Sequence, residues 1–143
     1  MKQWLLVGLG NPGQRFANSR HNLGARLLRA WVSARTSHSP QPAAWKTRRR
    51  LPALLATVTL AAAPATCLIP LTPMNRSGQP VRRLLRRGFF TMWQKRPAYR
   101  LLIIHDDIDT PLGTFRLKTA GSARGHNGVR SIQAALHTTD FPR

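Results

Sequence analysis

Three of the chain's four acids fall in one run, His105-Asp106-Asp107-Ile108-Asp109, and the chain has no glutamate. Among 23 Lys and Arg, that clustering asks for a reason. Three chemistries fit it. One is a metal site, because Asp and His ligate hard cations and zinc. Another is a catalytic His–Asp pair. The third is salt bridging to the abundant arginines. Asp106 follows an apolar stretch, Arg100 to Ile104, where an unpaired carboxylate is costly, so it should have a partner. The most interesting partner is His21, in the polar run Asn18-Ser19-Arg20-His21-Asn22. A lone loop histidine is more often surface decoration. With Asp106 accepting from one ring nitrogen, however, the other can take a proton from water near neutral pH. That is the minimum for hydrolysis of an ester by water. No G-x-S-x-G occurs, so a serine hydrolase is not indicated. Successive residues of an extended segment point to opposite sides. Asp106 and Asp107 should therefore not converge on one ion, and no metal is expected.

A second motif invites a different chemistry. Gly8-Leu9-Gly10-Asn11-Pro12-Gly13 matches G-x-G-x-x-G after an apolar stretch. A dinucleotide site needs that loop to run directly into a helix, with an acid about 20 residues onward for the ribose. Here many polar residues separate Gly13 from the next apolar stripe, and no acid precedes Asp106. A nicotinamide-dependent oxidoreductase stays only as a remote alternative, and the glycines must serve a tight turn in either case.

These residues need elements to position them. Trp4 to Val7 reads as a short buried strand. Leu23, Leu27, Leu28, Trp31 and Val32 recur at helical spacing, which predicts an amphipathic helix over Asn22 to Arg35. Thr36 to Pro42 reads as a polar linker. Leu54 to Leu60 and Thr66 to Ile69 read as strands with an Ala-Pro turn between them. Val81 to Phe90 reads as a helix with Arg82, Arg83, Arg86 and Arg87 on its polar side. Arg100 to Ile104 is the clearest strand, Phe115 to Lys118 a shorter one, and Val129 to Leu136 a helix. Alternating strands and helices predict one α/β domain over residues 1–143, with a mixed, mostly parallel central sheet flanked by helices. In such sheets sites gather at loops leaving the strands' carboxyl ends. The loops after Val7, Ile69 and Ile104 qualify.

The net charge of +19 favours polyanions, nucleic acid being the commonest. Scattered arginines that only keep the surface wet are a comparable reading. The single Cys67 lies in an apolar run and reads as a small buried thiol. No signal peptide is visible, and Pro52, Pro64 and Pro70 interrupt the longest weakly polar stretch. A cytoplasmic protein without a membrane segment is expected.

Three stretches together resemble the bacterial-type peptidyl-tRNA hydrolase family. They are Val7 to Gly13 continuing to Arg20-His21-Asn22-Leu23-Gly24, then Met74-Asn75-Arg76-Ser77-Gly78, and then His105 to Gly113 continuing through Lys118 to Gly125-His126-Asn127-Gly128. The resemblance implies a cytoplasmic, monomeric esterase of translation and ribosome rescue that uses no metal or cofactor. Its substrate would be peptidyl-tRNA, cut at the ester to the 3′ ribose. It implies His21 as general base and Asp106 as its orienting partner. It further implies that Asn11, Asn75 and Asn127 position the ester, the water and the tRNA end. Lys118 would hold the tRNA's terminal phosphate, with Met74 and Phe16 also on the substrate side. His105 and His126 read as structural, and His38 and His137 as dispensable. Two departures stand out. Pro73 precedes Met74 and removes a donor beside the site loop, which bears on the placement of Asn75. Family members also continue past Phe141-Pro142-Arg143 into another strand and a closing helix, so the domain is expected to be C-terminally incomplete. A non-catalytic RNA-binding homologue and an inactive fragment are the alternatives.

Overall fold

The computed structural model describes residues 3–37, 43–60, 62–87 and 99–143. Among them, five strands form one sheet in the order β2-β3-β4-β1-β5. They are β1 (Gln3–Gly8), β2 (Lys46–Arg48), β3 (Leu51–Leu60), β4 (Ala63–Pro70) and β5 (Tyr99–Ile104). The helices are α1 (Leu23–Thr36), α2 (Gly78–Arg87) and α3 (Asn127–Leu136). β1 pairs in parallel with both β4 and β5, while β2-β3 and β3-β4 are antiparallel. The expected mixed sheet thus has a parallel half around β1 and an antiparallel half at the β2 edge.

The strand period of two explains the central strand. Leu5 and Val7 of β1 join a core with Leu68, Ile103, Val81, Val129 and Ile132, under α2 and α3. Leu6, between them, joins Cys67, Leu28 and Val32 under α1 on the opposite face. A strand covered on both sides must be apolar throughout, and Trp4 to Val7 is. Cys67 is fully buried, and that burial pushes its thiol up to about 11, so it packs as an inert apolar group.

Several boundaries differ from the sequence expectation for local reasons. α2 begins at Gly78 rather than Val81. Pro80 is accommodated because first-turn amides have no intrahelical acceptor. Residues 88–90 of the expected helix and 38–42 of the expected linker lie outside the described residues, and Thr36 ends α1. The hairpin between β3 and β4 turns through Ala62 at φ 61, and Ala63 and Pro64 already belong to β4. The short strand expected at Phe115 to Lys118 is not formed. Phe115 and Leu117 are 94% and 66% exposed, so the apolar alternation has no surface to cover. Lys118 alone pairs, exchanging two 2.8 Å backbone hydrogen bonds with Arg143. The amide of Ile103 in turn donates to the Pro142 carbonyl at 3.0 Å, which lays this segment along β5.

Candidate functional site

The site grows from the loops leaving β1, β4 and β5. After β1, the Leu9 amide donates to the Ile104 carbonyl at 3.0 Å, and the Leu9 carbonyl accepts from Ala25 at 2.9 Å. The start of α1 is thereby strapped to the end of β5. Gly24 makes this possible, since a Cβ there would overlap the Ile104 carbonyl. The glycine loop is a brace rather than a pyrophosphate cradle. The Asn11 amide donates to Asn22 Oδ1 at 2.8 Å, and Asn22 Nδ2 returns a bond to the Asn11 carbonyl at 2.9 Å. Asn11 Oδ1 then accepts from the Met74 amide at 2.8 Å, joining the β1 and β4 loops. Pro73, whose carbonyl accepts from Arg76 at 2.8 Å, opens the 3-10 turn Met74–Arg76. Its missing donor is therefore not wanted there, and Asn75 on the turn is exposed.

This strapping brings His21 to Asp106 across 85 positions of sequence. His21 sits in the 3-10 turn Arg20–Asn22, and its Nδ1 lies 2.9 Å from both carboxylate oxygens. Its side chain is 45% exposed, whereas that of Asp106 is 11% exposed. A second histidine completes the arrangement. His126 is the N-cap of α3, and its Nδ1 accepts from the amides of Gly128 at 3.1 Å and Val129 at 3.3 Å. A ring nitrogen that accepts two N–H bonds carries no proton, so the proton of His126 is on Nε2. That N–H donates to Asp106 Oδ1 at 3.0 Å. Burial alone would raise the Asp106 pKa, but the hydrogen bonds from His126 and His21 outweigh it and bring it to about 2. Near neutral pH Asp106 is thus an ionised acceptor. With Nδ1–H of His21 donated to it, the lone pair of His21 is left on Nε2.

His21, Asp106 and His126 bring their donor atoms within 4.8 Å of one another, near enough to suggest a cation site. The bonding of His126 argues against it. Ligation through Nε2 would drive the proton onto Nδ1, against the two amide protons already pointing there. Asp107 turns the other way and pairs with Lys118 Nζ at 3.1 Å. The carboxyl of Asp107 is held below its ordinary range by the Asp109 amide and by Lys118. His105 donates from Nδ1 to the Asp106 carbonyl at 2.6 Å and sits edge-on to His126 at 4.8 Å.

A cleft collects His21, His105, Asp106, Lys118, His126 and Arg143 along its walls. Of the residues expected from sequence, it therefore unites His21, Asp106 and Lys118. Asn11 and Met74 are not among the residues that line it, and Met74 is buried in the core. Asn75 and Asn127 are exposed, and Phe16 is half-buried beneath the Arg15 guanidinium at 4.5 Å. Two residues were not foreseen in these roles. His126 was expected to be structural, which it is as a helix cap, but it also fixes Asp106. Arg143 is 7% exposed, donates from Nη2 to the Ser122 carbonyl at 2.8 Å, and its Nη1 has no partner among the described residues. Local sequence could not show the tie from His126 to Asp106, because the two lie 20 positions apart.

The chain is similar to known proteins over nearly its whole length. The family model described as peptidyl-tRNA hydrolase matches residues 5–143. A curated peptidyl-tRNA hydrolase of Roseiflexus castenholzii is 40% identical over 98% of this chain and 60% of its own length. One from Chloroflexus aurantiacus is 41% identical over 98% of this chain and 68% of its own. The crystal structure of peptidyl-tRNA hydrolase from Acinetobacter baumannii superposes with a TM-score of 0.79 at 33% identity, covering 99% of this chain and 65% of that one. The chain therefore spans about two thirds of the length of the relatives it matches. The chain belongs to the peptidyl-tRNA hydrolase family.

Proposed function

We propose that this chain hydrolyses the ester joining a peptide, or an N-blocked aminoacyl group, to the 3′ ribose of tRNA. The observation that carries the reading is the His21 Nδ1–Asp106 contact at 2.9 Å to both oxygens, which directs Nε2 of His21 away from the carboxylate. His21 Nε2 takes a proton from water as the water oxygen bonds to the ester carbonyl carbon. Asp106 stabilises the imidazolium that forms. Collapse of the tetrahedral intermediate breaks the bond to the ribose 3′ oxygen, which receives the proton back from His21. The products are a free peptide acid and tRNA with a free 3′ hydroxyl. Asn11, Asn75 and Asn127 are assigned to positioning the ester, the water and the tRNA end, with Met74 and Phe16 beside them. Neutral amides can meet a developing oxyanion without competing for the proton on the base. Lys118, on the cleft wall, is assigned to the tRNA's terminal phosphate, exchanging its bond with Asp107 for one to the nucleotide. No step needs a metal or cofactor.

No helix among the described residues is long and apolar enough to cross a membrane. The reading places the protein in the cytoplasm, where translation supplies peptidyl-tRNA, and as a monomer. Release of labelled N-acetylaminoacyl groups from tRNA, with and without a chelator, tests it. Turnover that persists with chelator is expected, and activity abolished by chelator and restored by zinc or magnesium would contradict the His–Asp chemistry.

A further inference from the structure

We propose that an arginine surface formed by the β2-β3 turn and α2 binds the RNA backbone of the substrate, away from the reaction centre. It rests on the reading that peptidyl-tRNA is the substrate. Arg48, Arg49 and Arg50 are exposed at the turn, and Arg82, Arg83 and Arg86 are exposed on α2. The two runs are far apart in sequence, yet Arg83 Nη1 donates to the Arg50 carbonyl at 3.4 Å and joins them. Val81 and Leu84 of α2 are buried in the core, so its arginines occupy the opposite face.

Among the described residues, no ion pair involves this cluster. All four acids of the chain lie at or beyond Asp106. The ion pairs among the described residues use Asp106, Asp107 and Asp109, with His21, His126, Lys118 and Arg124 as partners. Arg82 and Arg86, at i and i+4, repel each other and weaken the helix, so folding gives no reason for the arrangement. They rise about 6 Å along the helix axis. Guanidinium forks at such intervals suit successive phosphates. Leu71, 37% exposed and bonded to Pro52 beside the turn, is a single apolar side chain next to six exposed arginines, too little apolar surface for a lipid anchor, which favours RNA.

Topology places the cluster usefully. β3 runs antiparallel to β4, with Ala53 opposite Pro70, and the Leu71 amide donates to the Pro52 carbonyl at 2.9 Å. The turn at Arg48–Arg50 therefore lies at the carboxyl end of β4, the end from which the Met74–Asn75 loop leaves. The cleft with Lys118 lies toward the β5 edge and the arginines toward the β2 edge. An RNA held at the reaction centre would cross the Met74–Asn75 loop to reach them.

The test compares Arg82→Gln/Arg83→Gln/Arg86→Gln with Arg26→Gln/Arg29→Gln/Arg35→Gln, which removes equal charge from α1 on the other sheet face. Binding is read by fluorescence anisotropy on deacylated tRNA and on an unrelated duplex RNA, across a salt series. Because neither RNA carries an ester, the result stands apart from whether the chain hydrolyses one. The α2 variant should bind both RNAs at least about tenfold more weakly. Its salt slope should be shallower by about 2 to 3, while the α1 variant changes little. Both variants should melt cooperatively by circular dichroism, and Arg→Lys replacements on α2 should recover most of the binding. Equal losses in the two variants, or no loss in either, would overturn the proposal. Loss of binding to phosphatidylglycerol vesicles with tRNA binding unchanged would overturn it in favour of a lipid surface.

Discussion

The ring of His126 joins two elements through its two nitrogens: Nε2 donates to Asp106 Oδ1 at 3.0 Å while Nδ1 caps α3. Neither bond can survive a change of tautomer, so the cap of α3 and the acceptor of His21 are set by one proton position. His126→Ala removes a cap worth about 1 kcal/mol. It also removes a hydrogen bond to a charged group, worth about 1.5–3 kcal/mol. His126→Asn separates these roles, because asparagine is a good N-cap but is too short to reach Asp106. The Asn variant should melt above the Ala variant. In both, the Asp106 pKa, followed by carboxyl NMR, should rise from about 2. An unchanged Asp106 pKa would assign His126 to capping alone.

Gly24→Ala should separate His21 from Asp106 without touching either. The added Cβ meets the Ile104 backbone carbonyl, which is held by Leu9 and cannot move aside. Such overpacking costs about 1–3 kcal/mol. A melting point lowered accordingly, with ester hydrolysis reduced more than the folded fraction accounts for, is the expected outcome. Full activity in Gly24→Ala would show that the close approach of α1 to β5 does not set the site.

Stability should fall in two stages on acidification. Burial holds the His105 pKa below its ordinary 6.5, so the unfolded chain takes up that proton first. Stability then declines as pH drops below 6.5. The Asp106 pKa, opposed by burial but lowered to about 2 by its two histidine donors, lies below the ordinary 3.8. Its contribution is complete above 3.8 and lost as pH falls toward 2. Melting temperatures across pH 8 to 2 check both, and His105→Asn should flatten the upper stage alone.

Much of this was legible in sequence, and the rest was hidden for physical reasons. β1 and the Leu101 to Ile104 part of β5 read clearly because strand segments covered on both faces must be apolar. α1 read clearly because Leu28 and Val32 repeat on one face above the sheet. His21 and Asp106 stood out because three of the chain's four acids fall together. β2 gave no signal, since Lys46, Thr47 and Arg48 are all exposed and pair only through backbone. Phe115 to Lys118 misled, because alternation implies a strand only where one face is covered. The ties from His126 to Asp106, from Asn11 to Met74 and from Arg83 to Arg50 join residues far apart in sequence, where local pattern carries no information.

The central claim is that His21 is the base and Asp106 its partner. The most direct measurement is single-turnover hydrolysis of N-acetylaminoacyl-tRNA by His21→Ala, with tRNA affinity measured on the same variant. The account predicts a rate about 10²–10⁴-fold lower, with tRNA binding little changed. Near-normal hydrolysis by His21→Ala would contradict it.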